Sequence, residues 1–218
     1  MTATPKVVST KVKSKLIEDE YELICDMSNP GLYGKEAHRL SFGKAIEQNI
    51  LVDYEIIGIG VSDKDLQEYI QKRQWTGEFT LDEIAHNYAL DFVMSKYQAF
   101  HSLSFHSTVD KAKKFNLRHQ MFFPKTYSNS VNGKQSTNKR IKILNEFRES
   151  HKGVVSNARC LTEGVDVPTI DMIYFCDPKY SKIDIVQATG RALRKDKKGK
   201  KQKGYIAVSY THLRAHET

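Results

Sequence analysis

The chain has 218 residues, 39% of them hydrophobic and 10% aromatic, with a formal net charge of +8. That length holds one sizeable domain, or one domain and a stub, with enough apolar content for a packed core. No apolar run reaches the roughly 18 residues of a membrane span and no signal-peptide core opens the chain, so no membrane partner is expected and a polyanionic one is favoured.

The first fifty residues differ from the rest. A long irregular connection through Ser28-Asn29-Pro30-Gly31 reads as a linker from an earlier domain. Six strand-like runs follow: Tyr54–Val61, His101–Phe105, Thr126–Val131, Gly153–Asn157, Asp171–Cys176 and Tyr205–Ser209. Between the first two, the polar stretch 63–77 reads as an insertion or a surface helix. Leu81–Tyr97 carries Leu81, Ile84, Ala85, Tyr88, Ala89, Phe92 and Val93 on a helical stripe, and Asn138–Ser150 does so with Ile141, Leu144 and Phe147. Alternating strands and helices predict an α/β fold, a parallel sheet with helices on both faces. Ligands of such sheets sit at the carboxyl ends of the strands. Cys25, Cys160 and Cys176 lack metal-ligand spacing and read as structural thiols of a reducing, cytoplasmic compartment.

The most informative stretch is Gln187-Ala188-Thr189-Gly190-Arg191-Ala192-Leu193-Arg194-Lys195. On a helix, at about 100° per residue, Gln187, Gly190, Arg191 and Arg194 share one face. Two guanidinium groups there suit a multiply charged anion such as a phosphate, although a solvated basic helix end is the plainer reading. Lys195–Lys203 adds six lysines and one aspartate, a basic loop that could track a nucleic-acid backbone.

Four further stretches join it. Met1-Thr2-Ala3-Thr4-Pro5 opens the chain, and Phe105-His106-Ser107 ends a strand. Gly133 precedes Arg140 by seven residues. Thr162-Glu163-Gly164-Val165-Asp166-Val167-Pro168 follows another strand, where Gly164 permits close backbone approach and Asp166 can accept hydroxyl protons. In this order, with Gln-x-x-Gly-Arg-x-x-Arg last, the stretches resemble motifs III to VI of superfamily 2 helicases, DEAD/DEAH-type and with the flavour of type I and type III restriction subunits. Leu40-Ser41-Phe42 to Asp53-Tyr54 resembles the entry to the second domain of such helicases. The resemblance covers roughly residues 1 to 209.

The resemblance implies a RecA-like second motor domain that closes against a first, with ATP in the cleft. Arg191 and Arg194 would be arginine fingers to the γ-phosphate region, with Gln187 positioning the nucleotide or its attacking water. Gly164 and Asp166 would contact the nucleotide, beside Gly190. Ser107, Gly133, Arg140 and Asn157 would line the nucleic-acid backbone, and Thr2 and Thr4 would couple hydrolysis to closure. DNA is favoured over RNA by the form of the last two motifs.

Two departures matter. The sequence contains no G-x-x-x-x-G-K-[ST] loop, and no acidic box precedes Thr2 to hold Mg²⁺. Asp82-Glu83-Ile84-Ala85-His86 has one residue too many and sits in an amphipathic helix. The expectation is therefore a remnant of the first domain and linker over 1–27, the second motor domain over 28–209, and a tail outside the family pattern over 210–218. His212 and His216 in that tail read as a disordered segment rather than a metal pair. ATP and Mg²⁺ would be held mainly by a first domain outside this chain, a partner the fold requires. The isolated chain is expected to lack ATPase activity. The alternatives are a restriction-enzyme motor fragment and a non-catalytic nucleic-acid-binding module.

Overall fold

The computed structural model of the protein describes residues 29–35, 38, 40–73, 80–158, 170–177, 181–195 and 201–209. The chain divides into two compact units, Met1–Ala45 and Ile46–Thr218. In the first, the connection predicted to be irregular contains one helical turn, α1 (Pro30–Tyr33). Pro30 supplies a pre-set φ at the first helical position, and the Asn29 side chain accepts the Gly31 N–H at 2.9 Å. The short helix α2 (Phe42–Glu47) carries the chain into the second unit.

The second unit holds β1 (Asp53–Ile59), α3 (Asp63–Arg73), α4 (Leu81–Lys96), β2 (His101–Phe105), α5 (Val109–Phe122), β3 (Tyr127–Val131), α6 (Thr137–Glu149), β4 (Gly153–Asn157), β5 (Met172–Phe175), α7 (Lys182–Ala192) and β6 (Lys203–Ser209). The strands form one sheet in the order β1-β6-β5-β2-β4-β3, and every pairing is parallel. This is the predicted α/β sheet, and each predicted strand is present within two residues of its expected ends. The polar stretch after β1 is the surface helix α3, which buries Leu66 against Ile84 and Ala85.

Because strand residues alternate, each strand feeds two cores. Leu103, Phe105, Val155, Ile173, Phe175 and Ile206 face α6 and α7 with Phe147 and Ala188. Val154, Met172, Tyr174 and Ala207 face the other way, onto Leu90, Val93 and Met94 of α4 and Phe115 of α5. Asp82–His86 lies in the first turns of α4, the helix expected there. There Glu83 closes a capping box with Thr80 and pairs with Arg118 at 3.5 Å.

Helix α5 had no counterpart in the sequence reading. Its buried residues Ala112, Phe115, Asn116, His119 and Phe122 keep helical spacing, but two of them are polar.

Candidate nucleotide and nucleic-acid site

The predicted site residues that fall among the described ones separate to opposite ends of the strands. Helix α7 begins beyond the C-terminal end of β5 and runs back against the strand direction. Its last turn therefore packs on the start of β6, where a Cβ at Gly204 would run into the Ala192 carbonyl. Only glycine lets the helix end come this close.

Arg191, in that last turn, is 6% exposed, and Gln187 and Gly190 are half-buried. Arg194 departs from the expected shared face. The helix ends at Ala192, and the Arg194 N–H closes a tight turn onto the Arg191 carbonyl at 3.4 Å. Arg194 then forms an antiparallel bridge with Leu51, next to a bond from the Val52 N–H to the Leu193 carbonyl at 2.9 Å. Pairing to the segment before β1, anchored by fully buried Leu193, takes the place of another helical turn. One guanidinium is thus sunk at the helix end, and the other emerges exposed from the turn that follows it.

Ser107, Asn157, Gly133 and Arg140 lie at the other edge, beyond the carboxyl ends of β2, β4 and β3. A strand of five residues at ~3.3 Å each puts the two groups roughly 15 Å apart along the strand direction. Asn157 is fully buried; its Nδ2 donates to the Ser104 carbonyl at 3.0 Å, while its Oδ1 has no partner among the described residues. It acts as a strut between β4 and β2. Gly133 is exposed, its φ lies outside the left-handed region, and an added Cβ would meet nothing. Its turn does not need a glycine. Arg140 stands in the first turn of α6, half-buried, with Nη2 at 3.3 Å from Thr137 Oγ1 and a buried Nε without a partner among the described residues. Gly164, Asp166, Thr2, Thr4 and the tail 210–218 lie outside the described residues.

Sequence reasoning missed Asp177, just past β5. Its carboxylate accepts the Ser107 backbone N–H at 2.7 Å and the Lys111 ammonium at 2.7 Å, and the Ser107 hydroxyl also donates to it. Burial is the largest single influence and pushes its pKa up, but the combined bonds from Lys111 and Ser107 outweigh it and hold the carboxyl at about 2. The only available signal was position: an acidic residue directly after a strand's carboxyl end. Beside it opens a cavity of about 200 Å³ bounded by His86, Asn87, His106, Lys111 and Phe115. His106 is buried, with Nε2 3.1 Å from Ser104 Oγ and 3.7 Å from Cys176 Sγ. Burial pushes the Cys176 thiol up, keeping it protonated.

Among the described residues no group of three or more His, Cys, Asp or Glu side chains is arranged to hold a metal ion. The described residues therefore offer no ligand set for Mg²⁺. They do offer positive charge for one side of a nucleotide anion, with the Arg191 guanidinium buried at the helix end and that of Arg194 exposed just past it.

The parallel sheet, the arginine-bearing helix and the order of the motifs in the sequence are those of a superfamily 2 helicase C-terminal domain. The helicase conserved C-terminal domain family matches residues 85–196, and the chain belongs to that family. Among curated proteins it is 24% identical over 176 residues to the probable helicase A859L of African swine fever virus (isolate Pig/Kenya/KEN-50/1950), covering 80% of this chain and 20% of that protein. It is 26% identical over 163 residues to DEAD-box ATP-dependent RNA helicase 27 of Oryza sativa subsp. japonica, covering 75% and 26%. The chain thus spans about a fifth to a quarter of these relatives. Among solved structures it resembles the ATP-dependent Type ISP restriction-modification enzyme LlaBIII bound to DNA, with a TM-score of 0.67, 25% identity, and coverage of 84% of this chain and 14% of that one. The fold is also that of the E. coli DEAD-box protein SrmB, with a TM-score of 0.51 and 13% identity over 72% of this chain and 78% of that one.

Proposed function

We propose that the chain is the second motor domain of an ATP-dependent helicase or translocase, acting on a nucleic-acid strand at one edge of its sheet and on ATP at the other. The observation that carries this is the separation of the two residue sets by the length of a β-strand on one rigid parallel sheet. ATP, when bound, supplies the phosphoanhydride whose cleavage drives the cycle. Arg191 and Arg194 would stabilise the charge that develops on the transferred phosphoryl group, and Gln187, one turn before Arg191, would orient the nucleotide or its water. Gly164, Asp166 and Gly190 would complete the nucleotide-facing surface. Mg²⁺ and the triphosphate belong to a first motor domain, and Thr2 and Thr4 would couple the two.

At the other edge Ser107, Gly133, Arg140 and, through its strut role, Asn157 would hold the phosphate backbone without reading bases. The unneeded glycine at 133 supports this reading: a turn with room for a side chain that lacks one leaves space for a phosphate against its backbone. The likeness to LlaBIII, solved on DNA, favours DNA as the strand and a restriction-type motor as a variant of the same function.

The purified chain is expected to bind a single strand with salt-sensitive affinity and to turn over no ATP. Arg191→Ala and Arg194→Ala should leave that binding unchanged. Loss of strand binding in both variants would make the arginines nucleic-acid contacts and the chain a binding module. Robust ATP turnover by the chain alone would overturn the division of labour.

A further inference from the structure

Asp177 lies at the carboxyl ends of the strands, on the same side of the sheet as Ser107. It sits in the connection from β5 to α7, the helix that carries Gln187 and Arg191. Its carboxylate reaches across to the connection from β2 to α5 and takes the Ser107 backbone N–H and the Lys111 ammonium, both at 2.7 Å. The strands beneath are already joined, since Cys176 N–H donates to the Phe105 carbonyl at 3.1 Å. Nothing in the sheet ladder reaches Ser107, which lies past the last paired residue of β2.

The Asp177 side chain is 16% exposed while that of Lys111 is 58% exposed. The carboxylate is thus the fixed partner and the lysine the adaptable one. A backbone N–H bonded to a partly buried carboxylate is a charge-assisted bond in a medium of reduced polarity, where such bonds are stronger than in water.

We propose that Asp177 is a positioning residue of the nucleic-acid track, clamping the Ser107 loop to the root of the arginine helix so that the two move as one body. The clamp rests on the reading of Ser107 as a phosphate contact: the hydroxyl, which also donates to Asp177 in the free chain, would turn to the strand while the backbone N–H stays clamped. Asp177 itself bears the wrong charge to touch a phosphate and acts through Ser107. Lys111, neutralised by the carboxylate, is held back from the strand.

The test uses the purified chain and a mixed-sequence single strand of about 20 nucleotides, in DNA and RNA forms. Asp177→Asn is expected to weaken binding roughly five- to tenfold, the loss of a bond to a charged group. The slope of affinity against salt should stay unchanged, because no phosphate contact is removed. In a Ser107→Ala background the same substitution should add nothing. Lys111→Met, which removes one branch at an exposed side chain, should give a smaller loss in the same direction. Tighter binding in Asp177→Asn would mean that the carboxylate competes with phosphate, and it overturns the clamp, as does unchanged affinity. Amide exchange separates the clamp from the track. Asp177→Asn should speed exchange at the Ser107 amide roughly tenfold while β2 and β5 stay protected. Unchanged Ser107 exchange overturns the clamp even if the wild-type chain binds no strand, an outcome that would instead remove the track reading.

Discussion

The two faces of the sheet are built from different chemistry. The face under α6 and α7 is a dry core in which Leu103, Phe105, Val155, Ile173 and Phe175 meet Phe147, Ala188 and Ala192. The face under α4 and α5 mixes apolar groups with Ser102, Ser104, Ser156, Asn116, His119 and Ser128, all buried. Bonds run through it from Asn87 to His119 at 3.0 Å, from Ser128 to Asn116 at 2.6 Å and from His106 to Ser104 at 3.1 Å. The difference is one of specification. The dry face is held by shape and area, and it fixes the arginine helix rigidly. The wet face is held in part by paired polar groups, and His106 carries it to the wall of the cavity beside Asp177.

The largest expected effect lies on the dry face. Phe147 is fully buried and touches the position a Cβ of Gly153 would occupy, so the site cannot collapse around a smaller residue. Phe147→Ala should lower unfolding free energy by about 3–5 kcal/mol in chemical denaturation. A cost near that of a surface change would mean that this face is loosely packed.

This contrast also decides how much could be read from sequence. All six strands were legible because most carry short, strongly β-forming runs, and β4 and β5 are buried on both faces. Helix α5 was not, because its buried stripe includes Asn116 and His119, which read as exposed polar residues until the partners Ser128 and Asn87 are known. The departure of Arg194 from the helix was hidden for a related reason. It depends on pairing with Leu51, over 140 residues earlier, and no local pattern encodes that. Asp177 was missed because a lone acidic residue after a strand is silent until Ser107 and Lys111 converge on it.

The second effect belongs to the wet face and should appear with pH. His119 Nδ1 meets Asn87 Oδ1, whose own Nδ2 donates to the Glu83 carbonyl, so the neutral ring carries its proton on Nδ1. Nε2 is buried with no partner among the described residues, and a second proton there would be unmatched. Burial, helped by the charge of Lys152, lowers the His119 pKa to about 3. The folded state therefore resists protonation while the unfolded chain takes it up near pH 6.5. Stability from this group is complete above about pH 6.5 and is lost as pH falls toward about 3, at up to about 1.4 kcal/mol per unit. Denaturant melts between pH 7 and 4.5 should show this slope, and His119→Gln should flatten it. An equal slope in the variant would assign the acid sensitivity to other groups.

The smallest effect tests whether every polar group of the wet face contributes. Ser156 is fully buried on β4, opposite Ser104 of β2, and its hydroxyl has no partner among the described residues. An unmatched hydroxyl keeps its desolvation cost in the folded state, so removing it relieves a penalty and leaves a gap of only one oxygen atom. Ser156→Ala should therefore be neutral or stabilising, by about 0–1 kcal/mol in a thermal or denaturant melt. A loss of about 2 kcal/mol would instead place a matched group at that hydroxyl, such as an ordered water shared with Ser102, another hydroxyl on this face with no partner among the described residues.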